Sequence, residues 1–227
     1  MTPAPLVLLD LDGTLTDSAP GIIASARAAY AALGLPAPDG ATLRTFVGPP
    51  IVDSFLAHGV PAERIPDAIA GYRRFFAAGG MFDNAVFDGV PQVLRSLRDA
   101  GVRLLVATSK PTVYARPIAD HFGLTALLDG VFGAPPDDVP SSKATVIAEA
   151  LASLGPGGFD PARTLMVGDR EHDVLGARAH GIDTLGAGWG YARPGELAGA
   201  GAATVLAEPA DLLAAAADRL GLSAPTA

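Results

Sequence analysis

Two carboxylates separated by one residue, Asp10 and Asp12, stand near the start of the sequence and are followed by Gly13. The unbroken apolar run Leu6–Leu9 precedes them, which is typical of a strand buried on both faces of a parallel sheet. Strand periodicity points both carboxylates to the same side, and Gly13 allows the chain to turn sharply. Two carboxylates at the end of a buried strand repel each other and resist desolvation. A divalent cation would relieve both effects, although a solvated turn after a core strand also fits this short pattern.

A second pair of carboxylates, Asp169 and Asp173, follows the apolar run 164–167 at the predicted start of a helix. Residues four apart share one face of a helix, and the helix dipole favours anions at this end. Carboxylate oxygens, water and substrate phosphate are the usual ligands of Mg²⁺. The pair therefore indicates a magnesium site. His172 is expected at the surface or behind the ligands, because no second imidazole stands near it in the sequence.

The two lysines of the chain fall at a predicted strand end and a predicted helix start. Of the 16 basic residues, 14 are Arg, and only Lys110 and Lys143 are Lys. Thr108, Ser109 and Lys110 follow the apolar run 102–107, where hydroxyls and backbone N–H groups can cradle a phosphate. The alternative for this triplet is an ordinary Ser/Thr cap of the next helix. Lys143, considered by itself, would more often be a solvated side chain.

Alternating strands and helices must position these residues, and this alternation predicts an α/β fold with a doubly wound parallel sheet and helices on both faces. The predicted strands cover residues 6–9, 102–107, 131–132, 164–167, 182–185 and 204–206. The predicted helices of this part cover residues 91–100, 112–122, 143–154, 171–180 and 210–220, with one more between the last two strands.

The stretch between Asp17 and Asp83 contains no predicted core strand and has helical patterning instead. Its predicted helices cover residues 20–33, 41–46, 51–58 and 62–77. We therefore expect an α/β core domain over residues 1–17 and 84–227, with an inserted all-helical cap domain over residues 18–83.

Composition argues against several functional classes. The net charge of −8 disfavours a nucleic-acid backbone as the main partner. No segment approaches the roughly twenty apolar residues of a membrane span, and no charged-then-apolar leader is present. The chain has no cysteine, which excludes disulfides and thiolate metal sites and makes the cytoplasm the expected location. The loop 133–142 is rich in Pro and Asp, and the tail 221–227 is expected to be loose.

Four motifs together resemble those of the haloacid dehalogenase (HAD) superfamily, most of whose members are phosphohydrolases. They occur in the family order and are Asp10-Leu11-Asp12-Gly13-Thr14, Thr108-Ser109-Lys110, Lys143 at a helix start, and Gly168-Asp169 followed by Asp173. Within the superfamily, four segments are similar to the phosphoglycolate phosphatase/5′-nucleotidase-like branch. These are Val47-Gly48-Pro49-Pro50, the extended motif Thr108-Ser109-Lys110-Pro111, His121-Phe122-Gly123-Leu124, and the segment 168–173.

The resemblance implies a role for each motif residue. Asp10 is expected to be the nucleophile that forms an aspartyl-phosphate, and Asp12 the general acid and base. Thr108 would bind the transferring phosphoryl group, and Lys143 would hold that group and the nucleophile together. The expected Mg²⁺-binding residues are Asp10, Asp12 through its backbone carbonyl, Asp169, and Asp173, which would orient Lys143 or a water on the ion. The residues expected to bind substrate are Gly13, Thr108, Ser109 and Lys110 in the core, and Arg44, Gly48 and Arg73 in the cap.

The implied activity is Mg²⁺-dependent hydrolysis of a small soluble phosphomonoester, with phosphoglycolate or a nucleoside 5′-monophosphate as the leading substrates and a monomer or homodimer as the expected state. Asp12 argues against a dehalogenase, and the absence of lysine from the cap argues against a Schiff-base phosphonatase. A sugar phosphomutase would keep both aspartates and stays an alternative. From another class, a phosphoacceptor receiver domain would be shorter and would lack the helical insert. A binding protein without turnover is disfavoured because every motif residue is present.

The nucleophile assignment predicts that Asp10→Asn abolishes turnover while the fold is retained, because an amide of nearly the same volume is a poor nucleophile. Hydrolysis of p-nitrophenyl phosphate and a thermal melting curve measure the two effects. Near wild-type hydrolysis by this variant would show that Asp10 is not the nucleophile.

Overall fold

The computed structural model describes residues 2–135 and 141–222, so the predicted proline-rich loop and the predicted loose tail lie partly outside the described residues. The chain forms two compact units. The core unit comprises Met1–Thr16 and Val86–Ala227, and the helical unit comprises Asp17–Ala85. The short strands β2 (Thr16–Asp17) and β3 (Ala85–Val86), which were not predicted, pair with each other where the chain passes between the units.

The core unit is an α/β structure whose described strands, besides those two, all belong to one sheet. These strands are β1 (Leu6–Leu9), β4 (Arg103–Pro111), β5 (Gly130–Ala134), β6 (Thr164–Gly168), β7 (Asp183–Ala187) and β8 (Thr204–Leu206). The first four α-helices among the described residues belong to the helical unit. Those of the core are α5 (Val90–Asp99), α6 (Thr112–His121), α7 (Lys143–Ala152), α8 (Glu171–Arg178), α9 (Glu196–Ala200) and α10 (Asp211–Leu220).

The sheet is parallel throughout and has the strand order β5-β4-β1-β6-β7-β8. The chain runs from the central β1 to one edge through β4 and β5, and then to the other edge through β6, β7 and β8. This is the doubly wound arrangement that the sequence predicts. In open sheets of this kind, ligands bind outside the carboxyl ends of the strands at the point where the winding reverses. Here that point is the end of β1, between β4 and β6.

The register of the three central strands brings their carboxyl ends together. Leu9, the last residue of β1, lies opposite Val106 on one side and Val167 on the other. All four residues of β1 are almost completely buried, which explains why this strand is apolar without alternation. The polar residues that follow each strand are therefore carried to one edge of the sheet.

One apolar cluster fixes α7 against this sheet. Val146, Ile147 and Ala150 of α7 pack against Leu8 of β1 and Leu105 of β4, and all five are at most 1% exposed. Burying an aliphatic side chain of this size contributes about 1.5–3 kcal/mol. The cluster therefore sets the position of α7, whose first residue is Lys143.

The largest departure from the predicted elements is at β4. It was predicted to end at residue 107 but continues to Pro111, with a register shift against β5 between Thr108 and Pro111. Thr108 is therefore not the first residue beyond the strand, as predicted, but lies within it. The irregularity lets β4 continue past its regular pairing, a feature that apolar patterning does not reveal. Most other boundaries differ by one or two residues, as helix and strand ends commonly do.

The helical unit has its own apolar core. Its helices are α1 (Ala19–Leu33), α2 (Gly40–Arg44), α3 (Ile51–Ala57) and α4 (Ile65–Ala77), the last preceded by a single 3₁₀ turn over Ala62–Arg64. The helix predicted over residues 62–77 is therefore divided, and Pro66 stands in the first turn of α4, where proline is tolerated. Tyr30, Phe46 and Phe55 are buried in mutual edge-to-face contacts, a favoured aromatic geometry. None of the helices in the described part of the chain is both long enough and apolar enough to cross a membrane.

Glu196, the first residue of α9, ties the segment after β6 to the rest of the core. Its side chain is 3% exposed and accepts from Arg170 Nε at 2.8 Å and from the Glu171 backbone N–H at 3.0 Å. Its other oxygen accepts from the Arg193 backbone N–H and Nε. Burial raises the pKa of Glu196, but these hydrogen bonds, led by that from Arg170, outweigh burial and lower the pKa to about 2.

Because the folded-state pKa of Glu196 is lowered from 4.5 to about 2, its stabilisation is present above about pH 4.5 and is lost as the pH falls toward 2. We expect Glu196→Gln to lower the free energy of unfolding by about 1.5–3 kcal/mol at pH 7, the contribution of hydrogen bonds to a charged group. Urea unfolding across this pH range should show the gap to wild type narrowing as the pH falls. The exposed Glu149→Gln is the matched control, and a gap that does not depend on pH would contradict the assignment.

Candidate active site

Asp10 lies directly after β1, at the edge where β1 and β6 end. Its backbone N–H donates to the Val167 carbonyl at 2.9 Å, and the residue is only 8% exposed. Gly13 adopts a left-handed φ of 79°, as the sharp turn predicted from sequence requires. A Cβ at Gly13 would overlap the Asp169 carboxylate and the Tyr191 ring. Glycine is therefore required at position 13 both for the turn and for the close approach of Asp169.

Lys143 occupies the centre of the site. Its ammonium contacts Asp10 Oδ1 at 2.9 Å and Asp173 Oδ1 at 2.7 Å, and it donates to the Ala107 carbonyl at 3.0 Å. The ammonium therefore lies among three oxygen atoms, two of which belong to carboxylates. The side chain is 3% exposed. Lys143 is thus a buried residue that joins Asp10, directly after β1, and Ala107 of β4 to α8, and the solvated alternative is excluded.

Two helices bring Lys143 to this position. Ser142 caps α7 by accepting from the Thr145 backbone N–H. On α8, Gly176 faces the lysine stem, and a Cβ there would lie 2.7 Å from Lys143 Cγ. The His180 ring also hydrogen-bonds the Ala144 carbonyl at 2.8 Å. The lysine can therefore reach Asp10 because α8 has no side chain at position 176.

Asp169 and Asp173 are each held by a backbone N–H group. Asp169 Oδ2 accepts from the Tyr191 N–H at 2.8 Å, and Asp173 Oδ2 accepts from the Arg170 N–H at 3.0 Å. Both residues are at most 1% exposed. Gly168 makes this packing possible, because a Cβ there would overlap the Asp173 carboxylate. Asp173 contacts Lys143, and its predicted role of orienting that lysine or a water on the ion stays a prediction. His172 is exposed.

Burial disfavours the charged forms of the lysine and the carboxyl groups at the centre of the site. Burial lowers the pKa of Lys143, but the attraction of Asp10 and Asp173 outweighs burial and raises that pKa. Burial raises the pKa of Asp169 well above its usual range, and repulsion from Asp173 and Asp10 adds to the effect. Burial likewise raises the pKa of Asp173, despite the opposing attraction of Lys143. The site therefore carries more buried negative charge than one lysine compensates.

A divalent cation fits this environment. Asp10, Asp169 and Asp173 each offer a carboxylate oxygen, and these atoms lie within 4.8 Å of one another. The donor set consists of hard oxygen ligands, which suit Mg²⁺. Positive charge would also favour the ionised form of Asp169, which burial disfavours. The Asp12 side chain is not part of this group, and its predicted contribution through the backbone carbonyl stays a prediction.

The Thr108-Ser109-Lys110 motif lies beside Asp12. Thr108 is 1% exposed, and its hydroxyl accepts from the Lys110 backbone N–H at 3.2 Å. Ser109 is exposed. The Lys110 ammonium lies 2.6 Å from Asp12 Oδ2, a contact that the sequence did not predict. Each lysine of the chain therefore pairs with one of the two aspartates of the first motif.

The segment after β7 contributes a part of the site that was not predicted. The Trp189 indole donates to the Thr14 carbonyl at 3.1 Å, and the next residues bring the Tyr191 N–H to Asp169. A Cβ at Gly190 would overlap the Asp169 side chain and the Gly13 carbonyl. The signal was a Gly-Trp-Gly-Tyr sequence directly after an apolar strand, at the sheet edge where the other motifs end.

The predicted substrate-binding residues of the insert all lie in the helical unit. Arg44, the last residue of α2, and Gly48 are exposed, and Arg73 of α4 is partly exposed. Their predicted part in substrate binding stays a prediction.

Several curated proteins are similar to most of this chain. Tyrosine-protein kinase PtkA of Mycobacterium tuberculosis is 49% identical over 83% of this chain, which spans only 63% of the kinase's length. A 5′-nucleotidase of Pseudomonas aeruginosa is 41% identical over 85% of this chain and 86% of its own. A phosphoglycolate phosphatase of Cupriavidus necator is 36% identical over 88% of this chain and 87% of its own.

A solved structure and a family model are also similar to most of this chain. The crystal structure of a predicted phosphatase from Clostridium acetobutylicum superposes with a TM-score of 0.86 and is 38% identical, covering 95% of this chain and 99% of the other. The family model of haloacid dehalogenase-like hydrolases matches residues 7–187. The predicted fold class and the predicted resemblance to this family are confirmed. The chain therefore belongs to the haloacid dehalogenase-like hydrolase family.

Proposed function

We propose that this protein is a Mg²⁺-dependent phosphomonoester hydrolase that works through an aspartyl-phosphate on Asp10. The observation that carries the proposal is the buried Lys143 ammonium, within 2.9 Å of both Asp10 and Asp173. The ammonium holds the Asp10 carboxylate in place beside two further buried carboxylates. Such an arrangement is preorganised to bind a dianionic phosphoryl group together with a divalent cation.

In the first step, a carboxylate oxygen of Asp10 attacks phosphorus. The bond from phosphorus to the leaving oxygen breaks, and Asp12 donates a proton to that oxygen. The Lys143 ammonium and the Thr108 hydroxyl supply hydrogen bonds to the phosphoryl oxygens as their charge shifts. Lys143 also keeps Asp10 oriented, because it binds both Asp10 and the Ala107 carbonyl.

The cation would be held by the Asp10 and Asp169 carboxylates and the Asp12 backbone carbonyl, with Asp173 close by. When bound, Mg²⁺ neutralises negative charge on the phosphoryl oxygens. Around that position, Tyr191 and Gly190 fix the orientation of Asp169, and Asp173 fixes Lys143. Orienting contacts of this kind commonly contribute to metal affinity.

In the second step, Asp12 takes a proton from a water molecule, which attacks the aspartyl-phosphate. Inorganic phosphate leaves, and Asp10 returns to its free carboxylate. Asp12 therefore acts as acid in the first step and as base in the second. This double use explains why both aspartates of the first motif are needed for hydrolysis.

For the substrate, we favour a small soluble phosphomonoester, with a nucleoside 5′-monophosphate ahead of phosphoglycolate. Relatives carrying both names support this class, and the one named 5′-nucleotidase has the higher identity. Arg44, Gly48 and Arg73 are our candidates for recognising the part of the substrate beyond the phosphate. A cytoplasmic location is also our proposal and rests on the cysteine-free composition.

A second candidate activity is phosphoryl transfer to a protein tyrosine. The 49% identity to a tyrosine-protein kinase favours it. The same Asp10 chemistry would serve, with a phenol in place of water as the final acceptor. A sugar phosphomutase would likewise replace water by a sugar hydroxyl.

A substrate panel should separate these activities. We expect purified protein with Mg²⁺ to release phosphate from AMP or phosphoglycolate much faster than from a tyrosine phosphopeptide, because relatives similar over most of their length are named for these small substrates. Parallel reactions should contain ATP with a tyrosine peptide, or a hexose phosphate. Labelled peptide without phosphate release would favour the kinase, and isomerised sugar phosphate would favour the mutase.

Metal dependence can be tested with Asp169→Asn. Since Asp169 would hold the cation, we expect the variant to need at least about tenfold more Mg²⁺ for half-maximal activity, within the range seen when metal-site residues are lost. EDTA should remove wild-type activity, and Mg²⁺ should restore it. Asp183→Asn is an exposed control on the same sheet. An unchanged Mg²⁺ requirement in Asp169→Asn would remove Asp169 from the metal site.

Lys143→Arg tests the role of the central ammonium. A guanidinium is planar and wider, so it cannot reach the same three acceptors from one point beside Gly176. Displacement of the nucleophile by ~1 Å can cost on the order of a hundredfold in rate. We expect kcat to fall by that order at saturating Mg²⁺, whereas the exposed Arg116→Lys should have no effect. An unchanged kcat in a folded Lys143→Arg variant would contradict the role of Lys143.

A further inference from the structure

Lys110 makes the second short ion pair of the site. Its ammonium lies 2.6 Å from Asp12 Oδ2, and the two side chains are only 7% and 17% exposed. An ion pair so far removed from water is screened much less than a surface pair. The pair therefore holds the orientation of Asp12, the residue that moves protons in the proposed reaction.

The backbone around Lys110 is arranged to direct this side chain. The register of β4 shifts between Thr108 and Pro111, and the Thr108 hydroxyl accepts the Lys110 N–H at 3.2 Å. Gly133 on β5 permits the shift, because a Cβ there would overlap the Lys110 carbonyl. The Thr112 hydroxyl donates to the Gly133 carbonyl at 2.9 Å and stabilises the same register shift. Irregularities of this kind redirect side chains near active sites.

The two oxygens of Asp12 have different surroundings. Oδ2 is bound to Lys110, whereas Oδ1 is buried and has no hydrogen-bond partner among the described residues. A carboxyl group whose Oδ2 accepts from an ammonium carries its exchangeable proton on Oδ1, because the other oxygen must remain an acceptor. Oδ1 is thus the atom left for proton transfer.

We propose that Lys110 is a positioning residue that binds Asp12 Oδ2 and thereby directs Asp12 Oδ1 toward the leaving oxygen of the substrate. This inference rests on the proposed function. In the step concerned, the bond from phosphorus to the leaving oxygen breaks, the bond from Asp10 to phosphorus forms, and the proton on Asp12 Oδ1 moves to the leaving oxygen. Lys110 exchanges no proton and acts through Asp12.

Leaving groups distinguish this role from phosphate binding, the role that the sequence predicted for Lys110. An alkyl alcohol leaves poorly and needs a proton from Asp12, whereas p-nitrophenolate leaves without one. The parameter kcat/KM covers the reaction only as far as the first phosphoryl transfer, so the later hydrolysis of the aspartyl-phosphate does not affect it. Loss of a phosphate-binding cation would lower kcat/KM equally for both kinds of ester.

The experiment compares Lys110→Met, which keeps the length of the side chain and removes its charge, with wild type on an alkyl phosphomonoester and on p-nitrophenyl phosphate. General acid catalysis contributes about 10²–10⁴-fold. We expect kcat/KM to fall on the order of a hundredfold for the alkyl ester and several-fold at most for the aryl ester. Arg219→Met removes an exposed cation from the core unit and should leave both values unchanged. Lys110→Gln, which removes the charge and keeps a polar group, is the second variant should Lys110→Met fail to fold.

A double-mutant cycle with Asp12→Asn completes the test. If Lys110 acts through Asp12, adding Lys110→Met to Asp12→Asn should change the alkyl-ester kcat/KM by less than about threefold, as expected for two residues that act as one unit. Equal losses on the two esters, or full additivity in the cycle, would overturn the proposal. Failure of the proposed function itself would appear separately, as wild-type protein without Mg²⁺-dependent hydrolysis of either ester.

Discussion

The grouping of three buried carboxylates beside a single lysine is the constraint on which the rest of the core depends. Asp10, Asp169 and Asp173 lie together almost out of contact with water, and Lys143 contacts two of them. Removing ionised groups from water is expensive unless they are paired and hydrogen-bonded. The fold stabilises this charge with backbone N–H groups from two loops, and a divalent cation would stabilise it further. A cluster of buried carboxylates contributes little to the stability of the fold. Its presence therefore favours a catalytic role for these residues.

Glycines allow these charged groups to come close enough to interact. Gly168, Gly176 and Gly190 stand where a Cβ would collide with Asp173, Lys143 and Asp169 respectively. They lie on β6, on α8 and in the segment after β7, so three separate elements are shaped around the site. The apolar cluster beneath α7 then holds the lysine at a fixed height above the sheet. Packing and chemistry are therefore coupled, because a change in any of these contacts would move a charge.

The sequence was sufficient to predict the parallel sheet, its doubly wound order and the residues at the carboxyl ends of its central strands. Unbroken apolar runs marked the buried strands, and the carboxyl ends of neighbouring parallel strands share an edge, which brought Asp10 and Asp169 together. The pairing of Lys110 with Asp12 could not be predicted, since it depends on a register shift within β4 that no apolar pattern encodes. The role of Gly176 also could not be predicted, because a glycine within a helix indicates only lower helix stability until the residue packed against it is known. The pair of Arg170 and Glu196 joins residues 26 apart and has no local signal.

The central claim is that Asp10 accepts the phosphoryl group, and trapping the aspartyl-phosphate tests it most directly. Asp12→Asn should slow hydrolysis of this species, because the base that activates water is lost, while an activated aryl phosphate can still transfer its phosphoryl group. Acid quenching of this variant with p-nitrophenyl phosphate and Mg²⁺, followed by peptide mass spectrometry, would locate the modification. We expect phosphorylation on Asp10 and none when Asp10→Asn is added. Phosphate on another residue, or burst-free turnover with no phosphorylated peptide, would contradict it.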